Sequence, residues 1–145
     1  MEMIQGYGNS DNILNIKDKI LVLYNNIYPD NKRSTFEDCC GENPKNSFWI
    51  ILTWHNLPIA QTTLKRTVFN GKDYWLMYNF GVRKFRRREG WGTQLFQHVK
   101  AYVKSEPLIW LVDNDNINAQ IFYRKNGGKD FGPIKDNCLM FAYKA

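Results

Sequence analysis

Apolar positions in this chain change their spacing twice. Ile13, Ile16, Ile20, Leu23, Tyr24 and Ile27 recur at helical intervals, which predicts an amphipathic helix from about Asn12 to Tyr28. Asp11 or Asn12 is placed to cap its start, and Pro29 with the polar run behind it ends it. Ser34 and Glu37 have capping-box spacing for a short second helix through Cys40. Gly41 to Lys45 reads as a loop. From Phe48 the period becomes that of a strand, and Phe48 to His55, Ile59 to Phe69 and Asp73 to Val82 read as an antiparallel meander. Asn56 to Pro58 is the first turn. Asn70-Gly71 is the second, since both positions tolerate positive φ.

Helical spacing returns at Gly90-Trp91-Gly92, with Leu95, Phe96, Val99, Tyr102 and Val103 on the buried face and Pro107 at the close. Leu108 to Val112 is a short apolar strand of the kind buried on both faces. Asn116 to Lys125 reads as a helix ended by Gly127-Gly128, and Cys138 to Tyr143 as the last strand. The predicted order is helix, helix, three strands, helix, strand, helix, strand: an α/β (α+β) domain with a mixed sheet.

A length of 145 residues fits one domain, and 43% hydrophobic with 15% aromatic residues is enough for a packed core, so disorder is expected only at the first residues. Lys plus Arg is 20 against 14 Asp plus Glu, a formal charge of +6 that favours an anionic partner. Arg83, Lys84, Arg86, Arg87 and Arg88 fall in one short stretch, so the field is local and suits a small anion better than a long polymer. Three cysteines, Cys39, Cys40 and Cys138, make no closed disulfide framework, and with isolated His55 and His98 they show no metal spacing. Met1 to Ser10 has no apolar core of signal-peptide length, and no stretch approaches the roughly 20 apolar residues of a membrane span, so a reducing, cytoplasmic setting is expected.

Chemistry concentrates where the third strand runs through Arg87-Arg88-Glu89-Gly90-Trp91-Gly92-Thr93 into a helix. A helix start offers unpaired N–H groups and a positive dipole end. Glycines let the backbone approach a ligand, and together these features bind phosphate. Arg87 and Arg88 add charge-assisted hydrogen bonds. The stretch has neither the Walker A nor the dinucleotide glycine pattern.

Arg87-x-x-Gly90-x-Gly92 resembles the R/Q-x-x-G-x-G/A signature of the GNAT N-acetyltransferase superfamily. Asn116 to Gly127 is similar to that family's N-x-x-A-x-x-L/F-Y-x-K-x-G motif, carried here by Asn116, Ala119, Phe122, Tyr123, Lys125 and Gly127. The likeness runs from about Asp73 to Gly128, and the element order extends it over most of the chain. It implies a single domain over residues 1–145, a mostly antiparallel sheet flanked by helices, and acetyl-coenzyme A as acetyl donor. It further implies that Arg87, Arg88, Gly90, Trp91, Gly92 and Thr93 cradle the pyrophosphate. The backbone of Phe80, Gly81 and Val82 would pair with the pantetheine arm, Asn116 would bond that arm, and Tyr123 would lie beside the thioester sulfur.

The chain departs from the family at Lys84 (often Pro), Arg88 (often Gly), Glu89 (often basic), Trp91 (usually aliphatic) and Gly128 (commonly Phe). Leu76 to Asn79 holds no carboxylate where many members carry a Glu base, so that role does not transfer. Tyr123 reads as the proton donor to the departing thiolate, or as a core aromatic; Asn116 as a cofactor ligand, a helix cap, or both. Asp113 and Asp115 read as turn residues or as groups that receive a proton or hold the amine, Tyr78 as packing or as a proton relay through water, His55 and His98 as surface, and Cys138 as a buried thiol without a partner. The resulting expectation is direct acetyl transfer to a primary amine, the acceptor unidentified and a homodimer left open. A catalytically silent acetyl-coenzyme A-binding protein is the alternative. A basic nucleic-acid-binding module is a further one, disfavoured because aromatics do not interleave with the basic cluster.

Overall fold

The computed structural model describes residues 1–41, 43–135 and 137–144. Among these, seven strands form one sheet, β1 (Glu2–Tyr7), β2 (Phe48–Trp54), β3 (Leu57–Phe69), β4 (Lys72–Val82), β5 (Leu108–Asp113), β6 (Lys129–Lys135) and β7 (Cys138–Tyr143), in the order β1-β2-β3-β4-β5-β7-β6. All neighbours are antiparallel except β4 and β5. The helices are α1 (Asp11–Leu14), α2 (Lys17–Ile27), α3 (Phe36–Cys40), α4 (Trp91–Val103) and α5 (Ile117–Lys125).

The sheet has a core on each face. Alternation sends Phe48, Ile50 and Leu52 of β2, Trp75 and Met77 of β4, and Leu108, Trp110 and Val112 of β5 toward Leu95, Phe96 and Val99 of α4. Trp49 and Ile51 point the other way, onto Ile13, Ile20, Tyr24 and Phe36. α2 approaches the end of β4 closely. A Cβ on Gly81 would lie 2.6 Å from Ile27 Cγ2, so only glycine lets the helix seat there.

Several expectations are corrected. The first helix is broken: Ile16 N bonds Ile13 O at 3.0 Å, the tighter i→i+3 pattern, before α2 restarts. Ile13 and Ile20 keep their helical interval across the break, so periodicity does not register it. α3 is capped by Thr35, whose Oγ1 accepts from Asp38 N at 3.1 Å, one residue later than the Ser34–Glu37 box. The loop expected from Gly41 to Lys45 includes Glu42, outside the described residues, and Pro44–Asn46 is a 3-10 turn. The first hairpin turns at His55 and Asn56, with φ of 51° and 65°, and β3 begins already at Leu57. β5 is not buried on both faces, because Leu111 is 42% exposed. Two strands were missed, and both are edges. β1 pairs only with β2, displacing the expected disorder, and β6 pairs only with β7 and carries Gly132 and Pro133, tolerable where one side needs no partner.

Gly81→Ala is expected to cost about 1–3 kcal/mol of stability by forcing the α2–β4 contact apart. Chemical denaturation measures this. Adding Ile27→Ala should recover part of the loss, and a cycle with no coupling between the two positions counts against this account.

Candidate active site

The site begins where two strands part. β4 and β5 pair in parallel only over Trp75–Met77 and Leu108–Trp110. Just beyond, β3 and β4 slip register: Thr63 faces Tyr78 while Gln61 faces Gly81, so β4 carries an extra residue opposite Thr62. Asn79 takes φ 56°, a left-handed conformation asparagine tolerates. Its Nδ2 donates to Cys39 O at 2.8 Å and to Thr63 Oγ1 at 3.3 Å. Gln61 Nε2 donates to Asn79 O and Thr62 Oγ1 to Tyr78 O. Past the bulge, Arg83 N donates across to Ile59 O at 2.7 Å. Alternation therefore turns the Val82 peptide groups to the side that β5 has left. There Val82 O accepts from Arg87 Nε at 3.1 Å, and Phe80 O accepts from the Tyr28 hydroxyl at 3.3 Å. Side chains thus cap carbonyls that have no strand partner.

The turn into α4 supplies the second wall. Gly90 has φ 89°, and the first helical bond runs from Gln94 N to Gly90 O at 3.1 Å. The N–H groups of Trp91, Gly92 and Thr93 precede that bond and point out of the helix start. A Cβ on Gly92 would sit 3.4 Å from the Phe122 ring, so a small residue brings α4 against α5. The departures noted in the sequence have local reasons. Lys84 keeps an N–H that donates to Asn26 Oδ1 at 2.9 Å, a bond proline cannot make. Glu89 Oε1 accepts from Arg86 Nε at 2.7 Å and from Trp91 Nε1 at 3.0 Å. Those bonds, Arg86 first, hold the Glu89 carboxyl below the usual carboxylate range. Glu89 thereby engages Arg86 and pins the indole, leaving Arg87 and Arg88 as the exposed guanidiniums of the turn. Gly128 is required because a Cβ there would lie 2.9 Å from the Trp110 ring.

α5 forms the third wall. Asn116 Oδ1 accepts from Ala119 N at 3.2 Å and so caps the helix. Gln120 Nε2 donates to Asp113 O at 3.1 Å and Asn114 O at 2.9 Å, fixing α5 to the end of β5. Tyr123 is 7% exposed, its ring 5.1 Å from Trp110 and 5.7 Å from Phe80 between centroids. Burial, with a smaller contribution from Tyr28, raises the Tyr123 hydroxyl above the ordinary phenol range. Its hydroxyl has no hydrogen-bond partner among the described residues. Burial and neighbouring Tyr24 likewise raise Tyr28, while Arg87 pulls it back.

These walls enclose a cavity of about 900 Å³. Phe80, Gly81, Val82, Arg87, Arg88, Gly90, Trp91, Gly92, Thr93, Asn116 and Tyr123 all line it. So do Tyr28, Asn79 and Leu111, which sequence reasoning had not placed at the site, and Asp113, which it had weighed as a turn residue or an amine contact. For Asn79 the signal was an asparagine inside an otherwise apolar strand. Tyr28 had none beyond its place at the end of α2. Asp115 lies outside the cavity, beside Asn114 and Asn137. Cys138 is half-buried, not buried, and it has an acid neighbour after all, with Sγ 3.7 Å from Asp113 Oδ1. Burial pushes the Cys39 thiol up to about 12 and Cys40 up as well, so neither is a thiolate near neutral pH. His55 is exposed, and His98 is half-buried on α4.

The model of the acetyltransferase (GNAT) family matches residues 13–128, and the chain belongs to that family, an acetyltransferase with acetyl-coenzyme A as donor. No curated protein matches the chain in sequence. Among solved structures, aminoglycoside 6'-acetyltransferase type Ii is 16% identical, with a TM-score of 0.78 over 99% of this chain and 96% of that one. An aminoglycoside 6'-N-acetyltransferase complexed with coenzyme A is 14% identical, with a TM-score of 0.75 over 99% and 96%. The ribosomal-protein-S18-alanine N-acetyltransferase of Escherichia coli is 14% identical, with a TM-score of 0.68 over 97% and 92%. At these identities the likeness is one of fold. The residues present suit a phosphorylated, amide-bearing donor: unpaired helix-start N–H groups and two exposed guanidiniums at one end, an unpaired strand edge in the middle.

Arg88 has φ 67° without glycine's freedom, at a cost of about 1–2 kcal/mol. Arg88→Gly is expected to raise the melting temperature while weakening acetyl-coenzyme A binding, because the strain and one positive charge leave together. Calorimetry of unfolding and of binding reads both, and lowered stability contradicts the strain.

Proposed function

We propose that this acetyltransferase moves the acetyl group directly to a primary amine, using the freed edge of β4, the start of α4 and Tyr123. One observation supports the reading: four separate segments, residues 80–82, 86–93, 116–119 and 122–123, converge on one cavity at the parting of β4 and β5. The N–H groups of Trp91, Gly92 and Thr93, with Arg87 and Arg88, hold the pyrophosphate. Arg87 leaves the Val82 carbonyl to do so, which frees that edge for the pantetheine arm. Asn116 keeps its capping bond and offers its remaining polar atoms to the same arm.

When bound, acetyl-coenzyme A supplies a thioester carbonyl as electrophile and a thiolate as leaving group. Backbone donors of Phe80 to Val82 polarise that carbonyl. The cavity walls hold the amine against it, and orientation carries much of the acceleration. β4 offers no carboxylate between Leu76 and Asn79, so the amine proton passes to water. Tyr123 gives its proton to the departing thiolate and takes one back from the water that received the amine proton. Its raised affinity for that proton keeps it in donor form throughout the working range. The free thiols of Cys39, Cys40 and Cys138 fit the reducing cytoplasm in which we place the enzyme.

Acetyl-coenzyme A with an amine panel should release free thiol; tight donor binding without thiol release would instead mark a silent binder. Arg87→Ala is expected to weaken donor binding by about 10–100-fold, from the loss of a charge-assisted bond. Tyr123→Phe should lower kcat by about tenfold to several hundredfold while leaving donor affinity nearly unchanged, since the ring stays. A fully active phenylalanine variant removes Tyr123 from the chemistry. The pH profile carries its own sign. The amine reacts unprotonated, so log kcat/KM should rise with pH. Because burial raises Tyr123, no falling limb should appear below about pH 10, the ordinary phenol value. A descending limb near pH 8 that disappears in Tyr123→Phe contradicts the assignment.

A further inference from the structure

One sheet face loses its cover at the end of β5, where Ile109 is still buried but Leu111 is not. Leu108, Trp110 and Val112 of β5 belong to the core under α4, so Ile109, Leu111 and Asp113 alternate to the opposite face. Over β2 that face is filled by Ile13, Ile20 and Phe36. At the end of β5 the cover stops, and Leu111 stands 42% exposed opposite Met140 of β7. On β4 the same face carries Tyr78, since Trp75 and Met77 face α4. Tyr78 is held rigidly, its hydroxyl donating to Cys40 O at 2.9 Å and lying 3.1 Å from Ser47 Oγ. The face is an apolar floor with one fixed aromatic wall, over whose ring Lys65 Nζ lies 5.4 Å from the centroid.

This floor opens into the cavity, because Tyr78, Leu111 and Asp113 line both. Asp113 is the one carboxylate among the described lining residues, against the guanidiniums of Arg86, Arg87 and Arg88. It forms no ion pair among the described residues, and its side-chain neighbour is the Cys138 thiol. An unpaired carboxylate at the edge of an apolar floor, in a chain of net charge +6, matches one ammonium and no more. A polycation would bring further charges that find no second acid among the described cavity-lining residues, since Asp115 lines a separate recess with Asp113, Asn114 and Asn137, and it would leave the apolar surface wet. A single amine on an apolar body fills both requirements.

Resting on the acetyltransferase reading, we propose that the acceptor is a primary amine of one positive charge carried on an aryl or alkyl body. The body lies on Leu111 and Met140 beside Tyr78, and the ammonium is drawn to Asp113 before it loses its proton to water. The test compares kcat/KM for 2-phenylethylamine, spermidine and the aminoglycoside neamine, with acetyl-coenzyme A binding followed by calorimetry in the same preparation. The aralkylamine should be preferred by about tenfold or more, the scale on which apolar contacts discriminate. Leu111→Ser and Asp113→Asn should each raise its KM several-fold with the KM for acetyl-coenzyme A unchanged, and Asp113→Glu should restore part of the loss. Leu111 is exposed, so its serine variant should keep the wild-type melting temperature. Preference for spermidine or neamine, failure to acetylate 2-phenylethylamine, or an acceptor KM untouched by both substitutions overturns the proposal. If donor binding persists in those cases, the acetyltransferase reading stands without it; if acetyl-coenzyme A does not bind at all, that reading falls first.

Discussion

Opposite Thr62, β4 has one residue more than β3 can pair, and the strand bends away from β5 at that point. A sheet cannot leave peptide groups unpaired in its interior without cost, so the bend has to be held by other bonds. Asn79 and Tyr78 supply them, reaching Cys39 O and Cys40 O at the end of α3. Thr62, Thr63 and Gln61 close the seam from β3. These threonines and Gln61 are buried, and their hydroxyls and amide nitrogen are bonded, while Gln61 Oε1 has no partner among the described residues. The bulge, the splay and the cavity are one feature seen at three scales.

α3 has only five residues and would not persist alone. Its cap at Thr35, its left-handed Gly41 and the buried Phe36, Cys39 and Cys40 fix it against the second core. Its last carbonyls then serve as acceptors for β4. A short helix is in this way a positioning element for a strand that carries chemistry. The aromatic packing around Phe96, Trp110 and Tyr123 does the same on the other face, holding the hydroxyl of Tyr123 in a dry setting.

Much of this was legible in the sequence, for identifiable reasons. Elements with strong alternation or helical spacing, such as β2 to β4 and α4, declare themselves because one face is buried and the other wet. Asn70-Gly71 marked its turn because few residues accept φ of 52° and 76° in succession. The glycine-arginine turn was readable because close backbone approach to an anion calls for glycine, and the Asn116–Gly127 motif through its resemblance to the GNAT family's. β1 and β6 were invisible, since an edge strand with polar residues carries no periodic signal. The break between α1 and α2 keeps its apolar phase and so leaves none. Asp113 read as a turn residue or as an amine contact, and the pairing of β5 with β7 sets it at the cavity beside Cys138. Tyr28 depends on the tertiary seat that Gly81 provides for α2, which no local pattern encodes.

The edge of β4 that β5 abandons is made of main-chain atoms, and every amino acid has the same ones. A contact surface of that kind survives the replacement of nearly all side chains along it, provided the bend and the few glycines that shape it persist. Such a surface has little spelling of its own. A chain sharing 14% identity with this one can therefore keep its architecture over 96% of its own length. The β4 edge is thus written in peptide groups, and the wall beside it in side chains.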